Sequence, residues 1–214
     1  MSQWVEQLKG RFIVFDGPDG SGKSTQFRRF ADFVSAHGVE VCEVREPGGT
    51  AIGEQIRDIL LDPVNIDMDT RCEMLLYMAS RAQLVSQRIQ PALEQGQLVL
   101  ADRFISSTLA YQGSAGGIPV ADISRAGQIA LGQCWPNLVV VFDVDDTTAQ
   151  SRLNPLLDRM EMKDRDYHRA VRDGYLDQAR ADADRYLVID ATTDADTVFE
   201  NLQNELEAKI NKAR

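Results

Sequence analysis

Short apolar runs alternate with longer stretches of helical periodicity along the whole chain. The runs are RFIVFD (11–16), VEVCEV (39–44), QLVLAD (97–102), NLVVVFDV (137–144) and RYLVID (185–190). They are short and almost continuously apolar, which predicts strands covered on both faces. Between them, apolar positions recur every three to four residues over about 23–37, 51–62, 69–95, 120–133, 162–183 and 194–211. Strands alternating with helices predict an α/β fold, a three-layer sandwich around a central, mainly parallel five-stranded sheet. No linker divides it, so residues 1–214 are expected to form one domain, with the Gly-rich QGSAGGIP (112–119) as a loop. Ligands in such folds sit at the carboxyl ends of the strands.

Composition narrows the candidates. The 214 residues are 43% hydrophobic, enough for a sizeable core, and carry a net charge of −10. That charge argues against nucleic acid or an anionic membrane as partner. An anion site must then be local, built from a few cations and backbone N–H groups. The three cysteines, Cys42, Cys72 and Cys134, are odd in number and far apart, which predicts small core residues and no disulfide framework. The opening MSQWVEQLKGRF lacks the apolar core of a signal peptide, and no apolar run reaches the ~20 residues of a membrane span. A cytoplasmic protein is expected.

The strand ends carry the chemistry. After the first strand, Gly17-Pro18-Asp19-Gly20-Ser21-Gly22-Lys23-Ser24, followed by Thr25, fits G-x-x-x-x-G-K-[ST] between a strand and a helix. Glycines let backbone N–H groups turn onto phosphate oxygens, and the helix adds its positive end. Lys23 is placed to bridge the β- and γ-phosphates of ATP, and Ser24 to offer its hydroxyl to Mg2+. The only Asn-Lys pair, at 211–212, has no Asp after it, which disfavours a GTPase. A second phosphate site is suggested by REPGGT (45–50), by Arg57 in an amphipathic helix and by Asp102-Arg103 after the third strand. An acid there can hold Mg2+, and an arginine can fork onto a phosphate.

GPDGSGKST, REPGGT, CEMLLYMASRAQL, DRFISSTLAYQG and LDRME follow one another in an order and at a spacing that resembles the thymidylate kinase family. The resemblance spans about residues 11–208. It implies transfer of the ATP γ-phosphoryl to dTMP, giving dTDP, by a P-loop kinase that is commonly a homodimer. It implies that Arg57 and Arg103 grip the dTMP phosphate, with Glu46 and Pro47 close by, and that Asp102 helps place Mg2+. Asp19 should face the dTMP 3′-OH. Tyr77 falls where the family usually stacks a Phe on thymine, and Arg81, on the same helix face, should donate to the base. Thr108 and Gln112 should line the base and sugar region, and Tyr111 should crowd the ribose 2′ position. The family also covers the transferring phosphoryl with cationic charge, from the P-loop or from a lid. Here Gly20 and Ser21 leave the task to a lid at about 149–162, which holds only Arg152 and Arg159. Arg152 is expected to join Lys23, Asp102 and Arg103 in catalysis, Arg159 to be the more structural, and Lys163 and Arg165 to stand in reserve.

Overall fold

A computed structural model describes residues 3–152 and 158–212. All five strands form where the apolar runs lie: β1 (Phe12–Asp16), β2 (Val41–Arg45), β3 (Leu98–Asp102), β4 (Leu138–Asp143) and β5 (Tyr186–Asp190). They pair in parallel in the order β2-β3-β1-β4-β5. β1 and β3 run in step, Phe15 opposite Asp102, so Asp16 and Asp102 reach the same edge of the sheet.

Not every strand is covered on both faces. β1 is buried throughout, whereas the edge strands β2 and β5 alternate or show exposed positions. Glu43 and Val188 point to solvent there, as edge positions allow. The helices are α1 (Gln3–Glu6), α2 (Lys23–Ala36), α3 (Ala51–Leu61), α4 (Thr70–Leu84), α5 (Gln90–Glu94), α6 (Ile105–Thr108), α7 (Val120–Leu131), α8 (Asp146–Arg152), α9 (Arg165–Ala181) and α10 (Ala195–Lys212). One core lies between the sheet and the layer of α4, α7 and α9, with Phe12, Met78, Phe104 and Tyr175 in it. The other lies under α2 and α10, around Ile13, Phe15, Phe30 and Leu202. The opening segment joins this second core: Trp4, Val5 and Leu8 are buried, and Trp4 stacks on Phe33 at 6.0 Å.

Three further expectations are corrected. The 69–95 pattern is one rod broken by a π-helical turn, Val85–Ile89, between α4 and α5. Pro91 is the reason: it lacks an N–H and its ring crowds the carbonyl four residues back, so the helix widens before it. The stretch 112–119 is a loop only in its second half, because a π-helical segment, Leu109–Ala115, continues α6. Cys72 is exposed on α4, not in the core; only Cys42 is buried, and all three cysteines are free.

Candidate active site

The residues after β1 form a close-fitting loop on the sheet edge. Gly17 has φ 142°, and a Cβ there would sit 2.5 Å from the carbonyl oxygen of Phe142 on β4. Gly20 has φ 76°, and a Cβ would meet the carbonyl of Ala149 on α8 at 2.3 Å. Only glycine satisfies both the dihedral and the space. The loop ends at Gly22, and α2 begins at Lys23 with its first N–H groups free of intrahelical partners.

Lys23 is buried, and its Nζ bonds and pairs with Oδ1 of Asp102 at the end of β3. The hydroxyl of Ser24 lies 3.5 Å from the other oxygen of Asp102. A carboxylate and a hydroxyl facing one space, beside a loop shaped for phosphate, are the hard oxygen donors that suit Mg2+. Among the described residues no group of three or more acidic, His or Cys side chains is placed to hold a metal alone. A pair of oxygen donors fits an ion that takes its remaining ligands from phosphates and water.

Arg103 has φ 67°, an unusual left-handed conformation for a non-glycine residue, and its guanidinium turns back over β1. Nη1 lies 3.1 Å from the carbonyl of Gly17, 3.1 Å from Oγ of Ser107, 3.1 Å from the hydroxyl of Tyr175 and 3.4 Å from Oδ1 of Asp16. Nη2 bonds Asp19 and lies 3.3 Å from the hydroxyl of Tyr111. Asp16 is fully buried and accepts from Ser106 at 2.6 Å, Ser107 at 2.7 Å and Tyr175 at 2.6 Å. Burial would raise the Asp19 carboxyl, but Arg103, the Tyr111 hydroxyl donating at 2.7 Å, and Lys23 outweigh it and hold the group below its ordinary value.

A cleft of about 630 Å³ opens beside this hub. Asp19, Lys23, Ser24, Glu46, Pro47, Arg57, Tyr77, Arg81, Asp102, Arg103, Thr108, Tyr111 and Gln112 line it, so all the acceptor-side residues expected from the sequence meet in one place. The peptide bond between Glu46 and Pro47 is cis, and Arg57 donates to the Pro47 carbonyl at 2.9 Å. Arg81 is not a solvated helix arginine: it is 1% exposed. It donates to Oε2 of Glu46 through Nε at 2.7 Å and to Oγ1 of Thr108 at 3.1 Å, and it lies 5.1 Å over the ring of Phe104. Asp158, Met160 and Glu161, from the segment between α8 and α9, also line the cleft.

Of the two arginines expected in the lid, Arg159 is fully buried. It donates to the Leu60 carbonyl and pairs with Glu73. Arg152 ends α8, exposed, and donates to the carbonyls of Ala191, Thr192 and Thr193 at 2.8, 3.3 and 3.2 Å. Its Nη1 is 3.9 Å from where a Cβ on Gly22 would stand, beside the P-loop. The rest of the expected lid, residues 153–157, lies outside the described residues.

The sequence reading assigned nothing to Asp16, Ser106, Ser107, Tyr175 or Glu73. Asp16 carried a signal, an acid at a strand end like Asp102. Tyr175 carried none, because it reaches the site from α9, more than 150 residues downstream of β1.

A family model described as Thymidylate kinase matches residues 15–202. Among curated relatives, a thymidylate kinase of Symbiobacterium thermophilum is 44% identical over 197 residues, covering 92% of each chain. One of Pseudomonas fluorescens is 40% identical over 209 residues, covering 97% of this chain and all of that one. Among solved structures, the crystal structure of thymidylate kinase from Ehrlichia chaffeensis superposes with a TM-score of 0.73 at 32% identity, covering 91% of this chain and 97% of that one.

One consequence concerns Glu46. Burial pushes its carboxyl up to about 7, against the opposing Arg81, and Asp16 adds to the rise. A carboxyl raised on folding favours the folded state below its ordinary value and loses that contribution as pH climbs through the folded value. Urea unfolding should show wild type losing stability relative to Glu46→Gln between about pH 5 and about pH 8. A difference that stays constant with pH would show that Glu46 titrates as an ordinary carboxyl.

Proposed function

The chain belongs to the thymidylate kinase family and transfers the γ-phosphoryl of ATP to dTMP, and we propose that its cleft seats dTMP directly opposite an ATP held by the P-loop. The observation that carries this arrangement is the convergence of the P-loop and the acceptor-side residues on one cleft, with Asp19 and Lys23 belonging to both. Residues 17–25 cradle the phosphates of ATP through backbone N–H groups and the start of α2. Lys23 exchanges Asp102 for the β- and γ-phosphates. Mg2+, held at Ser24 and Asp102, supplies charge neutralisation when bound.

On the acceptor side, Arg57 and Arg103 hold the dTMP phosphate, with Glu46 and Pro47 shaping that end of the cleft. Tyr77 stacks on thymine and Arg81 donates to it, while Thr108 and Gln112 line the base and sugar region. Asp19 accepts from the 3′-OH, and Tyr111 occupies the space a 2′-OH needs. The attacking atom is a phosphate oxygen, already ionised near neutral pH because the second phosphate pKa is ~6. No general base is needed, and catalysis rests on position and charge. Arg152 supplies the charge over the transferring phosphoryl after leaving its carbonyl partners on the loop that follows β5. The chain works as one kinase domain, with its lid at about 149–162.

A coupled assay of ADP release with ATP, Mg2+ and dTMP tests this reading. Wild type should turn over only with dTMP, and Arg152→Ala should lose at least about a hundredfold in kcat, within the range known for arginines in phosphoryl transfer. Full activity in Arg152→Ala would move that charge to another cation, Lys163 or Arg165 first. Binding of both nucleotides without turnover in wild type would contradict the kinase reading.

The chain acts in this reading as a homodimer. Ile52 and Ile59 on α3, Val64 and Ile66 beyond it, and Leu75 on the neighbouring α4 are 46–78% exposed. So many large apolar side chains on adjoining elements suit a buried face. Light scattering should give twice the monomer mass for wild type and the monomer mass for Leu75→Asp; a monomeric wild type would exclude the dimer.

A further inference from the structure

Gln112 is 1% exposed, and its Nε2 donates to Oε1 of Glu73 at 2.7 Å. Glu73 is 3% exposed, and its other oxygen accepts from Nη2 of the fully buried Arg159. Arg159 is fixed in turn at the end of α3, where its Nε donates to the Leu60 carbonyl at 2.7 Å and its backbone N–H to the Leu61 carbonyl at 3.2 Å. The three side chains form one buried line from the segment after α8 to the wall of the cleft.

A side-chain amide is nearly symmetric in shape but not in polarity: the nitrogen only donates and the oxygen only accepts. A carboxylate that already receives a guanidinium offers acceptors only. The edge of Gln112 that faces Glu73 is therefore its nitrogen. Oε1 is left as the atom that Gln112 can present to the cleft it lines.

We propose that Glu73 is a positioning residue for base selection, which locks the amide of Gln112 so that the cleft presents an acceptor, with Arg159 holding Glu73 in place. The inference rests on the reading of this cleft as the dTMP site. Thymine offers an N3–H donor and an O4 acceptor on its pairing edge; cytosine offers a bare N3 and an amino group. The locked Oε1 meets the thymine N3–H, and Arg81 meets O4. Against cytosine, acceptor faces acceptor and donor faces donor, and unpaired buried groups are costly. Turning the Gln112 amide over to admit cytosine would set its oxygen against the Glu73 carboxylate.

Glu73→Gln turns the lock over, because the amide oxygen at 73 must accept from the donor-only Arg159 and its nitrogen is then left facing Gln112. The ratio of dissociation constants for dCMP and dTMP, measured by competition, should fall at least about tenfold, and the penalty for N3-methyl dTMP should shrink with it. A merely structural loss would weaken both nucleotides together, and an unchanged ratio would overturn the proposal. Should Glu73→Gln not fold, the double variant Glu73→Gln/Gln112→Glu reverses the pair and again presents an acceptor to the base. It should keep the wild-type preference for dTMP, and a tenfold loss of preference there would count against the lock. Full selectivity in Gln112→Ala would also overturn the inference while leaving the kinase reading intact. Failure of wild type to bind dTMP would instead remove the reading of the cleft itself.

Discussion

Arg103 holds the two sides of the site together. Its guanidinium donates to β1 at Asp16, to the P-loop at Gly17 and Asp19, to the helical segment after β3 at Ser107 and Tyr111, and to α9 at Tyr175. A largely buried charge is tolerated only when it is paired and hydrogen-bonded, so each of these partners is held in place by the same demand. The left-handed backbone at Arg103 is the conformational cost of turning the side chain inward at the end of a parallel strand. If Arg103 moves, Asp19 and Tyr111 lose a partner at once, and both line the cleft.

The same principle explains how a chain of net charge −10 handles two anionic nucleotides. Cations in and behind the cleft are already paired: Lys23 with Asp102, Arg103 with Asp16 and Asp19, Arg81 with Glu46, Arg159 with Glu73. Some of these pairs are static props. Arg81 and Arg159 are almost wholly buried and bind two elements each. Lys23 and Arg103 border the open cleft and have partners that a phosphate oxygen can replace. In the proposed cycle, phosphate takes the place of carboxylate at those two positions, so charge is exchanged within a fixed frame.

The five strands and six main helices were legible because each is long enough for its period to show, and their carboxyl ends pointed to the P-loop, REPGGT and Asp102-Arg103. The breaks were less legible. The π-helical turn before Pro91 follows from proline's missing donor, but periodicity alone runs straight through it. Cys72 looked like a core residue by type, and its place on the outer face of α4 depends on the helix phase. The partners of the site residues were the least legible. Glu73, Tyr175 and Arg159 meet Gln112, Asp16 and Leu60 across separations of 39, 159 and 99 positions, and a linear pattern carries no trace of such pairings.

The most direct test is a crystal structure with dTMP and ADP bound. Arg103 should keep Asp16 and Ser107 while Nη2 turns from Asp19 to the dTMP phosphate, with Lys23 drawn from Asp102 onto the ADP phosphates. A complex in which Arg103 and Lys23 keep all their carboxylate partners, with the dTMP phosphate held by other cations, would contradict the exchange on which the proposed cycle depends.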